Sequence, residues 1–503
     1  MDKSRTSKSE LNIIVGIVTK MVTLLLTFAG RKIFINNIGI EYLGINGLFS
    51  NVLSLLSMAD LGFGTAISYS FYEPLAKKDE KRIAALMNFY SKIYNLIAIA
   101  VAVVGIAIIP FLRYIVNMEQ GIPHLYFYYL LFLSNTVVSY LFIYKSTLIN
   151  ADQKSYVVNS VTAICNIVKT VLQILSVYFL GSYVVYLLVM IVSTFINNLI
   201  ISNYVDRKYS IIKTTVKLEK KDTREIFGNI KSMFIYKVSS TLISSVDSIL
   251  ISVLLGTVIV GYYSNYQTII VNITAFVTIL FSSITASIGN LVVTGNKESR
   301  YKVFRTMQMV SFWVSGTISI CIYILANDFV VLWLGEKYIL PSATVFAMAL
   351  SFFFSCSMQP LWSFREATGL YRKTKYIMLL AAIENLILSW ILGKIYGLSG
   401  IILATVIARV TTYFWYEPYL LFRECFGVSE TKYFIDYMIN VMIMVATMII
   451  TRGITRYILC ESWIYWLIKA GIITSIVSII YAIKYVPSGE FKYLMNKVLR
   501  KEN

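Results

Sequence analysis

The chain has 503 residues, of which 57% are hydrophobic and only 14% are charged, and its mean hydropathy is +0.71. A soluble domain carries about 25% charged residues, so this composition excludes a globule that stays folded in water. The formal net charge of +19 does not indicate nucleic-acid binding, because many cytoplasmic loops rich in Lys and Arg produce the same excess.

Long apolar stretches separated by short polar gaps follow one another along nearly the whole chain. A helix needs about 20 apolar residues to cross the hydrocarbon core of a bilayer. Lipid offers no hydrogen-bond partners, so each stretch must satisfy its own backbone, as a helix does. We therefore predict an all-α polytopic membrane protein with 14 transmembrane helices. The predicted spans lie near residues 11–35, 42–72, 88–112, 124–150, 156–180, 184–205, 230–255, 262–294, 303–326, 340–369, 375–396, 399–422, 433–451 and 463–484.

Lys and Arg are distributed unevenly among the loops between the predicted spans. They are concentrated in both termini and in the stretch 206–229, whereas the loops on the other side offer few cations, such as Arg113 and Lys337. Loops rich in Lys and Arg stay in the cytoplasm. We therefore predict a multi-pass protein of the cytoplasmic membrane with both termini in the cytoplasm, which requires an even number of spans.

Two short glycine motifs indicate an internal duplication. Residues 39–44 and 256–261 each begin and end with glycine, lie 217 residues apart, and join the first two helices of each half. Each half holds six spans, so both halves start on the same side of the membrane, and we predict two parallel six-helix lobes plus an extra C-terminal helix pair. The predicted domains are 1–205 (N-lobe), 206–229 (basic cytoplasmic linker), 230–424 (C-lobe) and 425–503 (helices 13 and 14 with a basic cytoplasmic tail).

Catalytic and metal-binding signatures are absent from the sequence. It contains no GxxxxGK[ST], HExxH or GxSxG motif, and its loops are too short for a separate catalytic domain. The five cysteines are scattered without CxxC spacing, and His124 is the only histidine. No metal site, disulfide framework or cofactor is therefore predicted, and a transporter fits these features better than an enzyme.

Polar side chains recur at intervals of three and four residues in four predicted spans, which places them on one face of each helix. Ser and Thr alone often serve helix packing, but a charge near the bilayer centre is costly and usually faces a wet cavity or a partner. We therefore predict that the first two helices of each lobe line a hydrated, partly cationic cleft. The candidate substrate-binding residues are Lys20, Arg31, Asn46, Ser57, Lys237, Asn272 and Arg365.

Acidic residues within the predicted spans are candidates for ion coupling. A carboxyl group in a poorly hydrated wall favours a bound proton or cation, so we predict H⁺ or Na⁺ coupling at Asp60, Asp247 or Glu384. Two further intramembrane cations, Lys145 and Arg409, are explained equally well by pairing inside the helix bundle and by substrate contact.

The opening of the chain resembles a known family. The segments that carry the resemblance are RKIFI at 31–35, GIEYLG at 39–44, INGLFSN at 45–51 and LSLLSMADLGFGTA at 53–66. Together they are similar to the first two helices of bacterial polysaccharide flippases of the O-antigen and capsule type, within the multidrug/oligosaccharidyl-lipid/polysaccharide exporter superfamily. The resemblance is specific over roughly residues 30–90, and elsewhere it rests on topology, the duplication and the extra helix pair.

This resemblance implies a flippase that moves an undecaprenyl-pyrophosphate-linked oligosaccharide to the outer leaflet by alternating access, for the synthesis of surface polysaccharide. It implies no cofactor beyond a coupling ion. The implied partners are the lipid-linked oligosaccharide, membrane lipids and the polysaccharide polymerase machinery, but no nucleic acid. In related flippases of lipid-linked murein precursors an extra helix pair forms a groove for the lipid tail, and we expect the pair within 425–503 to do likewise. Family members often carry an acidic residue at the position of Asp60.

Two alternative functions stay open. The first is a drug or cation antiporter of the same superfamily, although such exporters usually have fewer spans and a cationic cleft repels cationic drugs. The second is a membrane glycan polymerase or ligase, which needs a large outer loop with catalytic groups that the sequence lacks. Resistance to cationic dyes would favour the antiporter, and glycan-joining activity of the purified protein would favour the polymerase or ligase.

Overall fold

The computed structural model of the protein describes residues 3–60, 63–118, 121–209, 216, 218 and 220–499. Within these residues every regular element is a helix, which confirms the predicted all-α fold. The helices of the first half are α1 (Lys3–Asn37), α2 (Ile40–Leu56), α3 (Phe63–Lys77), α4 (Glu80–Ile108), α5 (Leu112–Ile115), α6 (Leu125–Tyr140), α7 (Ile143–Ala151), α8 (Ser155–Leu180) and α9 (Tyr183–Lys208).

The second half of the chain continues in the same way. Its helices are α10 (Lys220–Leu255), α11 (Thr257–Thr294), α12 (Lys297–Leu334), α13 (Ser342–Ser357), α14 (Gln359–Thr368), α15 (Tyr371–Thr411), α16 (Tyr413–Leu421), α17 (Thr431–Thr455), α18 (Trp463–Tyr485) and α19 (Gly489–Leu499).

Many of these helices are long and apolar enough to cross a membrane. The described part of the chain contains ten such helices, or eleven if α6 and α7 form one bent span. One apolar region, Lys373–Phe426, is 54 residues long and includes Gly397, whose φ of 59° and ψ of −140° interrupt α15. The spans predicted at 375–396 and 399–422 lie on either side of this kink. The predicted total of fourteen spans stays a prediction.

Helix boundaries repeat along the chain at a constant interval. Three pairs of helices begin 217 residues apart: α2 and α11 at Ile40 and Thr257, α4 and α12 at Glu80 and Lys297, and α6 and α13 at Leu125 and Ser342. This interval equals the offset between the two glycine motifs. The helix pattern therefore agrees with the internal duplication.

The described residues pack as two compact units. Residues 1–241 and 256–261 form the first unit, and residues 242–255 and 262–503 form the second. The domain limits predicted from the sequence, with a linker at 206–229, stay a prediction.

Inside the first unit, α8 and α9 pack side by side, with α1 against α8 and α6 against α9. Gly181, between α8 and α9, has a left-handed φ of 56°, which suits the tight turn that follows a helix. Large aromatic side chains fill the interior, among them Phe49, Tyr90 and Tyr129. Between membrane helices such packing supplies dispersion energy where lipid removes the usual hydrophobic driving force.

In the second unit, α12 is the central helix. It packs against α13, α17, α18 and α19. The extra helix pair α17–α18 therefore contacts the duplicated part of the chain through α12. Phe312, Phe353 and Tyr437 form the aromatic centre of this packing, and the rings of Phe312 and Tyr437 meet edge to face at 5.1 Å. On α17, Tyr437 and Phe434 also contact Phe414 and Trp415 on α16, so both α12 and α16 hold the extra pair.

Each glycine motif begins with a glycine that allows a sharp change of direction. Gly39 precedes α2 with a φ of 115°, and Gly256 precedes α11 with a φ of 105°. This region of φ is favourable for glycine and strained for other residues. The motif therefore needs its first glycine for backbone geometry at the start of a helix.

The last glycine of each motif allows a close backbone contact within the first unit. A Cβ atom on Gly44 would lie 2.2 Å from the Thr257 carbonyl oxygen, and one on Gly261 would lie 2.7 Å from that of Ile40. Thr257 also exchanges two hydrogen bonds with the backbone of Asn117, at 2.8 and 3.0 Å. The two copies of the motif thus contact each other reciprocally, and neither contact has room for a side chain.

The span that contains α6 and α7 is broken near its middle. Phe142 adopts a left-handed φ of 66°, and the two helices are bent by 40°. A break frees carbonyl groups that lipid cannot satisfy. A neighbouring helix replaces the missing bonds, because the Asn198 amide on α9 donates over 2.9–3.3 Å to the carbonyls of Val138, Ser139 and Leu141.

The corresponding span of the second half is broken between α13 and α14. Pro360 lies in the first turn of α14, where its missing N–H is tolerated. The carbonyls of Cys356 and Ser357 accept from Ser311 at 2.9 Å and from Gln308 at 3.0 Å, both on α12. In both halves, therefore, a neighbouring helix satisfies the carbonyls at the break.

Candidate functional site

α1 carries two of the cations that the sequence predicts to bind substrate. Lys20 and Arg31 are both half-buried, and Arg31 interacts electrostatically with Tyr186 on α9. The hydroxyls of Thr23 and Thr27 donate to carbonyl groups one turn earlier on the same helix, at 2.8 and 2.7 Å. The two threonine hydroxyls are therefore satisfied within α1, and Lys20 and Arg31 supply positive charge to this helix face.

Asn46 lies on α2, and Ser57 opens the 3-10 turn that follows that helix. Asn46 Oδ1 accepts from the Tyr183 hydroxyl on α9 at 3.0 Å, and Ser57 Oγ donates to the Leu53 carbonyl at 2.8 Å. The backbone of Asp60 ends the same turn, so this candidate lies where the span is interrupted. The side chain of Asp60 lies outside the described residues.

Two further cations of the first unit, Lys237 and Lys145, differ in their surroundings. Lys237 is half-buried on the part of α10 that packs with this unit. Lys145 on α7 is buried and donates to the Asp206 carboxylate and to the Ser202 hydroxyl, each at 2.7 Å. Lys145 therefore ties α7 to α9.

Asp247 on α10 anchors a buried polar cluster in the second unit. Its side chain is only 8% exposed, and its Oδ2 accepts from the Thr405 hydroxyl at 3.2 Å. The Thr405 hydroxyl in turn accepts from the Asn385 amide at 2.9 Å, and the same amide donates to the Ser389 hydroxyl at 3.4 Å. A carboxylate therefore ends a chain of polar side chains inside the helix bundle.

The kink of α15 at Gly397 builds this cluster. Asn385 and Ser389 lie one turn apart before the kink, and Thr405 lies after it. The Ser389 hydroxyl donates across the kink to the Ile401 carbonyl at 3.5 Å. Both arms of α15 therefore contribute polar groups to a cluster that α10 completes.

Two buried oxygens of the cluster have no hydrogen-bond partner among the described residues, namely Asp247 Oδ1 and Asn385 Oδ1. A buried polar group without a partner costs about 1–3 kcal/mol, and a charged one more. A proton on the Asp247 carboxyl group would remove its charge, and hard cations prefer oxygen ligands of this kind. The described part of the chain brings no three His, Cys, Asp or Glu residues together as metal ligands.

Arg365 and Glu417 form a buried ion pair in the second unit. The second carboxylate oxygen of Glu417 accepts from the Trp362 indole at 3.1 Å. The Arg365 charge is therefore balanced inside the protein. Arg409, another intramembrane cation, donates to the Tyr413 hydroxyl at 2.6 Å.

The remaining candidates of the second unit are hydrogen-bonded to nearby groups. Asn272 is half-buried and donates to the Thr268 carbonyl of its own helix at 2.8 Å. Glu384 is half-buried next to Asn385 in the chain and accepts from the Thr411 hydroxyl at 2.6 Å. Asp247 differs from Glu384 because it is the more deeply buried carboxylate and has an unsatisfied oxygen.

Three residues of the Asp247 cluster were not singled out from the sequence: Asn385, Ser389 and Thr405. The signal in the sequence is their one-turn spacing, with Asn385 four residues before Ser389 and Ile401 four residues before Thr405. Many helices carry such pairs for packing alone. Only the contact between Thr405 and a carboxylate 158 residues away in the chain distinguishes this one.

Known proteins resemble the chain in sequence and in fold. A family described as "Polysaccharide biosynthesis protein" matches residues 11–288, whereas no curated protein gives a significant match. The structure of "Lipid II flippase MurJ, inward closed conformation" has a TM-score of 0.70 at 16% identity and covers 95% of this chain and 99% of its own.

Two transporter structures share the fold over a smaller part of the chain. An inward-facing multidrug resistance transporter of the MATE family, in the MOP superfamily, has a TM-score of 0.55 at 13% identity and covers 80% of this chain and 96% of its own. The Vibrio cholerae MATE transporter VcmN in the bent form has a TM-score of 0.54 at 15% identity, and the coverages are 84% and 98%.

Proposed function

This chain belongs to the polysaccharide biosynthesis protein family, and from that premise we propose that it is a flippase for lipid-linked oligosaccharides. Its cargo is an undecaprenyl-pyrophosphate-linked repeat unit, which moves from the cytoplasmic to the outer leaflet by alternating access. The observation that carries the proposal is the fold, which matches that of a lipid II flippase over 95% of this chain. A lipid-linked glycan is the cargo that connects polysaccharide synthesis with transport across a membrane.

Pyrophosphate recognition is assigned to the cations of the first unit. A pyrophosphate leaves water only where cations and hydrogen-bond donors replace its hydration. Lys20 and Arg31 on α1 and Lys237 on α10 are half-buried cations of this unit, and Arg31 is our primary candidate. Amides and hydroxyls such as those of Asn46 and Ser57 suit the sugar groups.

Ion coupling is assigned to the Asp247 cluster in the second unit. Asp247 and Asn385 each have a buried oxygen without a hydrogen-bond partner among the described residues, and the Thr405 hydroxyl is hydrogen-bonded to both side chains. Na⁺ binds to oxygen ligands of this kind, and a proton binds to the carboxyl group. Glu384 is the weaker candidate, because the Thr411 hydroxyl already donates to it at 2.6 Å.

A comparison of two acidic variants tests this assignment. If Na⁺ binds at Asp247, NaCl raises the melting temperature of the purified protein relative to choline chloride, because a ligand that binds the folded state stabilises it. Asp247→Asn should abolish that difference, and the matched control Glu384→Gln should keep it. A proton-coupled protein would show no Na⁺ effect but a dependence of flipping on the proton gradient. Flipping that ignores both gradients would exclude coupling at this cluster.

The proposed setting is the cytoplasmic membrane, with both termini in the cytoplasm. The Lys and Arg content of the termini and of the stretch 206–229 supports this orientation. In this setting the flippase receives its cargo from the cytoplasmic leaflet and passes it to the polysaccharide polymerase machinery outside.

The profile of lipid-linked intermediates in a deletion strain tests the flippase function. Loss of the gene should abolish surface polysaccharide, and complete repeat units on the lipid carrier should accumulate inside the cell. The complementing gene should restore both. Unchanged surface polysaccharide, or accumulation of incomplete repeat units, would contradict the proposal.

The fold shared with the MATE transporters makes a drug antiporter the second candidate. Those structures cover 80% and 84% of this chain, whereas the flippase structure covers 95%, and this difference favours the flippase. Expression of the gene in a drug-sensitive strain separates the two, because only an antiporter confers resistance to cationic dyes.

A further inference from the structure

A cavity of about 170 Å³ with charged and amide side chains in its wall lies in the second unit and shares no residue with the Asp247 cluster. Its walls come from α12, α17, α18 and the start of α19. The cavity has room for several water molecules or for one small polar group. The charged and amide side chains in its wall are Arg305, Gln308, Asp436, Asn440, Lys484 and Glu490.

The two carboxylates of this cavity share one guanidinium group. Arg305 donates to Asp436, and it donates to Glu490 through Nε at 3.1 Å and Nη2 at 3.0 Å. This network joins α12 to α17 and α19. The acidic groups of the cavity therefore have their counter-ion, and none of them accepts a hydrogen bond from Lys484.

Two groups in the wall lack a hydrogen-bond partner among the described residues, namely Lys484 Nζ and Gln308 Oε1. Gln308 is only 3% exposed, and the bond from its Nε2 to the Ser357 carbonyl at 3.0 Å fixes the direction of Oε1. The Lys484 ammonium lies 5.0 Å from the centre of the Tyr485 ring, a contact that supplies no lone pair. A ligand of this cavity can therefore accept a hydrogen bond from Lys484 and donate one to Gln308 Oε1.

The position of the cavity along the chain indicates the headgroup level of a membrane. The spanning helix α18 ends at Tyr485, and the short helix α19 that follows carries the exposed cations Lys492 and Lys497. Neighbours of the wall residues along α17 and α18 expose large apolar side chains, such as Ile435 at 55% and Ile483 at 73%. A recess with charged side chains beside apolar helix surfaces matches a lipid, which has a polar headgroup and apolar chains.

We propose that this cavity binds the headgroup of a membrane glycerophospholipid. The phosphodiester is a monoanion, and it accepts a charge-assisted hydrogen bond from Lys484. The alcohol of the headgroup carries an N–H or O–H donor, as ethanolamine and glycerol do, and this donor binds Gln308 Oε1. A choline headgroup has the same phosphodiester but no donor, so the cavity discriminates against it.

Native mass spectrometry of the purified full chain tests this proposal. The detergent-solubilised protein is titrated with phosphatidylethanolamine, phosphatidylglycerol or phosphatidylcholine that carry identical acyl chains. The first two lipids should bind more tightly than phosphatidylcholine. Lys484→Met should weaken their binding about tenfold or more, because one charge-assisted hydrogen bond is lost.

Two controls make the result specific. Lys492→Met removes an exposed cation of α19 outside the cavity wall and should leave lipid binding unchanged. Gln308→Met should reduce the preference over phosphatidylcholine, with the melting temperature measured to confirm folding. Equal binding of all three lipids, or unchanged binding by Lys484→Met, would overturn the proposal. Displacement of the lipid by millimolar inorganic phosphate would also overturn it, because the site would then take the free anion. Lipid occupancy is measured without transport, so the result is independent of the flippase function.

Discussion

At the scale of single residues, some intramembrane charges of this protein form ion pairs and others do not. Lys145 is paired with Asp206, and Arg365 is paired with Glu417. Asp247, in contrast, has one oxygen with no hydrogen-bond partner among the described residues. A charge in a bilayer is costly unless it is compensated. Paired charges therefore hold helices together, whereas Asp247 is the residue at which we propose ion coupling.

Arg31→Ala should impair flipping while membrane abundance stays normal. The reason is the loss of a half-buried cation on α1 that we assign to the pyrophosphate, and a lost charge-assisted contact corresponds to about tenfold or more in rate. Surface polysaccharide and immunoblots of membranes measure the two quantities. Lys32→Ala is the matched control, since Lys32 is the adjacent, exposed cation. Normal surface polysaccharide in Arg31→Ala would remove Arg31 from the site.

Glu417→Gln should destabilise the protein strongly, because it leaves the buried Arg365 guanidinium without its carboxylate. Removal of one partner of a buried ion pair costs about 3–5 kcal/mol, whereas replacement of both by apolar residues is often neutral. The melting temperature in detergent should therefore fall in Glu417→Gln and recover in the double variant Arg365→Met, Glu417→Leu. Equal melting temperatures for wild type and Glu417→Gln would show that the pair does not form.

At the scale of helices, interruptions of regular structure give the protein its specific contacts. The breaks near Phe142 and Pro360 expose carbonyl groups that α9 and α12 satisfy. The kink at Gly397 brings two arms of α15 to one carboxylate. An unbroken helix would hide its backbone and present only side chains. These breaks and this kink are therefore places where neighbouring helices form specific hydrogen bonds.

Gly44→Ala should lower the melting temperature, because its Cβ atom would lie 2.2 Å from the Thr257 carbonyl oxygen. In a helix without such a contact the same substitution stabilises by about 0.5–1 kcal/mol. Gly453→Ala is the control, since a Cβ atom there meets nothing within 4 Å. In thermal unfolding, the melting temperature should fall in Gly44→Ala and rise in Gly453→Ala. Equal shifts would mean that the two glycine motifs do not touch.

The attachment of α19 should depend on pH through Glu490, which lies outside the membrane-spanning helices. Burial acts to raise the pKa of Glu490, but its own amide N–H and the Arg305 guanidinium outweigh this effect and hold the pKa below its ordinary value. The stabilisation is therefore present above the ordinary pKa of 4.5 and is lost as pH falls through the lower folded value. The hydrogen-exchange protection factors of 489–499, which are corrected for the intrinsic pH dependence of exchange, should fall below that pH.

Glu490→Gln serves as the control for this pH dependence. The variant should show low protection of 489–499 already at neutral pH and should lose the acid-dependent fall in protection. Persistent slow exchange in Glu490→Gln would mean that packing alone, such as the stacking of Phe491 on Trp313, holds α19 in place.

At the scale of the whole molecule, the chain repeats one helical plan and adds a helix pair to it. Three helix starts recur at an interval of 217 residues, and α17 and α18 pack on α12. The six spans predicted for each half would leave both halves starting on the same side of the membrane. The distribution of Lys and Arg predicts the orientation of the entire protein.

Cysteine labelling tests the orientation of the whole protein. In a variant without the five native cysteines, Gly121→Cys should react with a membrane-impermeant maleimide added to intact cells, because residue 121 is expected outside. Lys78→Cys should react only after the cells are opened. The reverse pattern would place the termini outside and would contradict the positive-inside assignment.

The order of apolar stretches in the sequence was sufficient to predict an all-α membrane protein, and the spacing of its glycine motifs was sufficient to predict a duplication. Hydropathy and helical period are local, because they depend on neighbours in the chain, and a duplication is visible when two stretches of the same sequence are compared. Of the candidate site, the sequence predicted Asp247 as an intramembrane carboxylate, but it did not predict that α15 contacts Asp247.

Tertiary structure decided which polar residues meet. The contact of Thr405 with Asp247 joins positions 158 residues apart, and the pair of Arg365 with Glu417 joins positions 52 apart. Such partners depend on helix packing and on the kink at Gly397, which no local pattern specifies. Sequence therefore determined what must be buried in lipid, and packing determined which charges are compensated, since compensation requires contact in space.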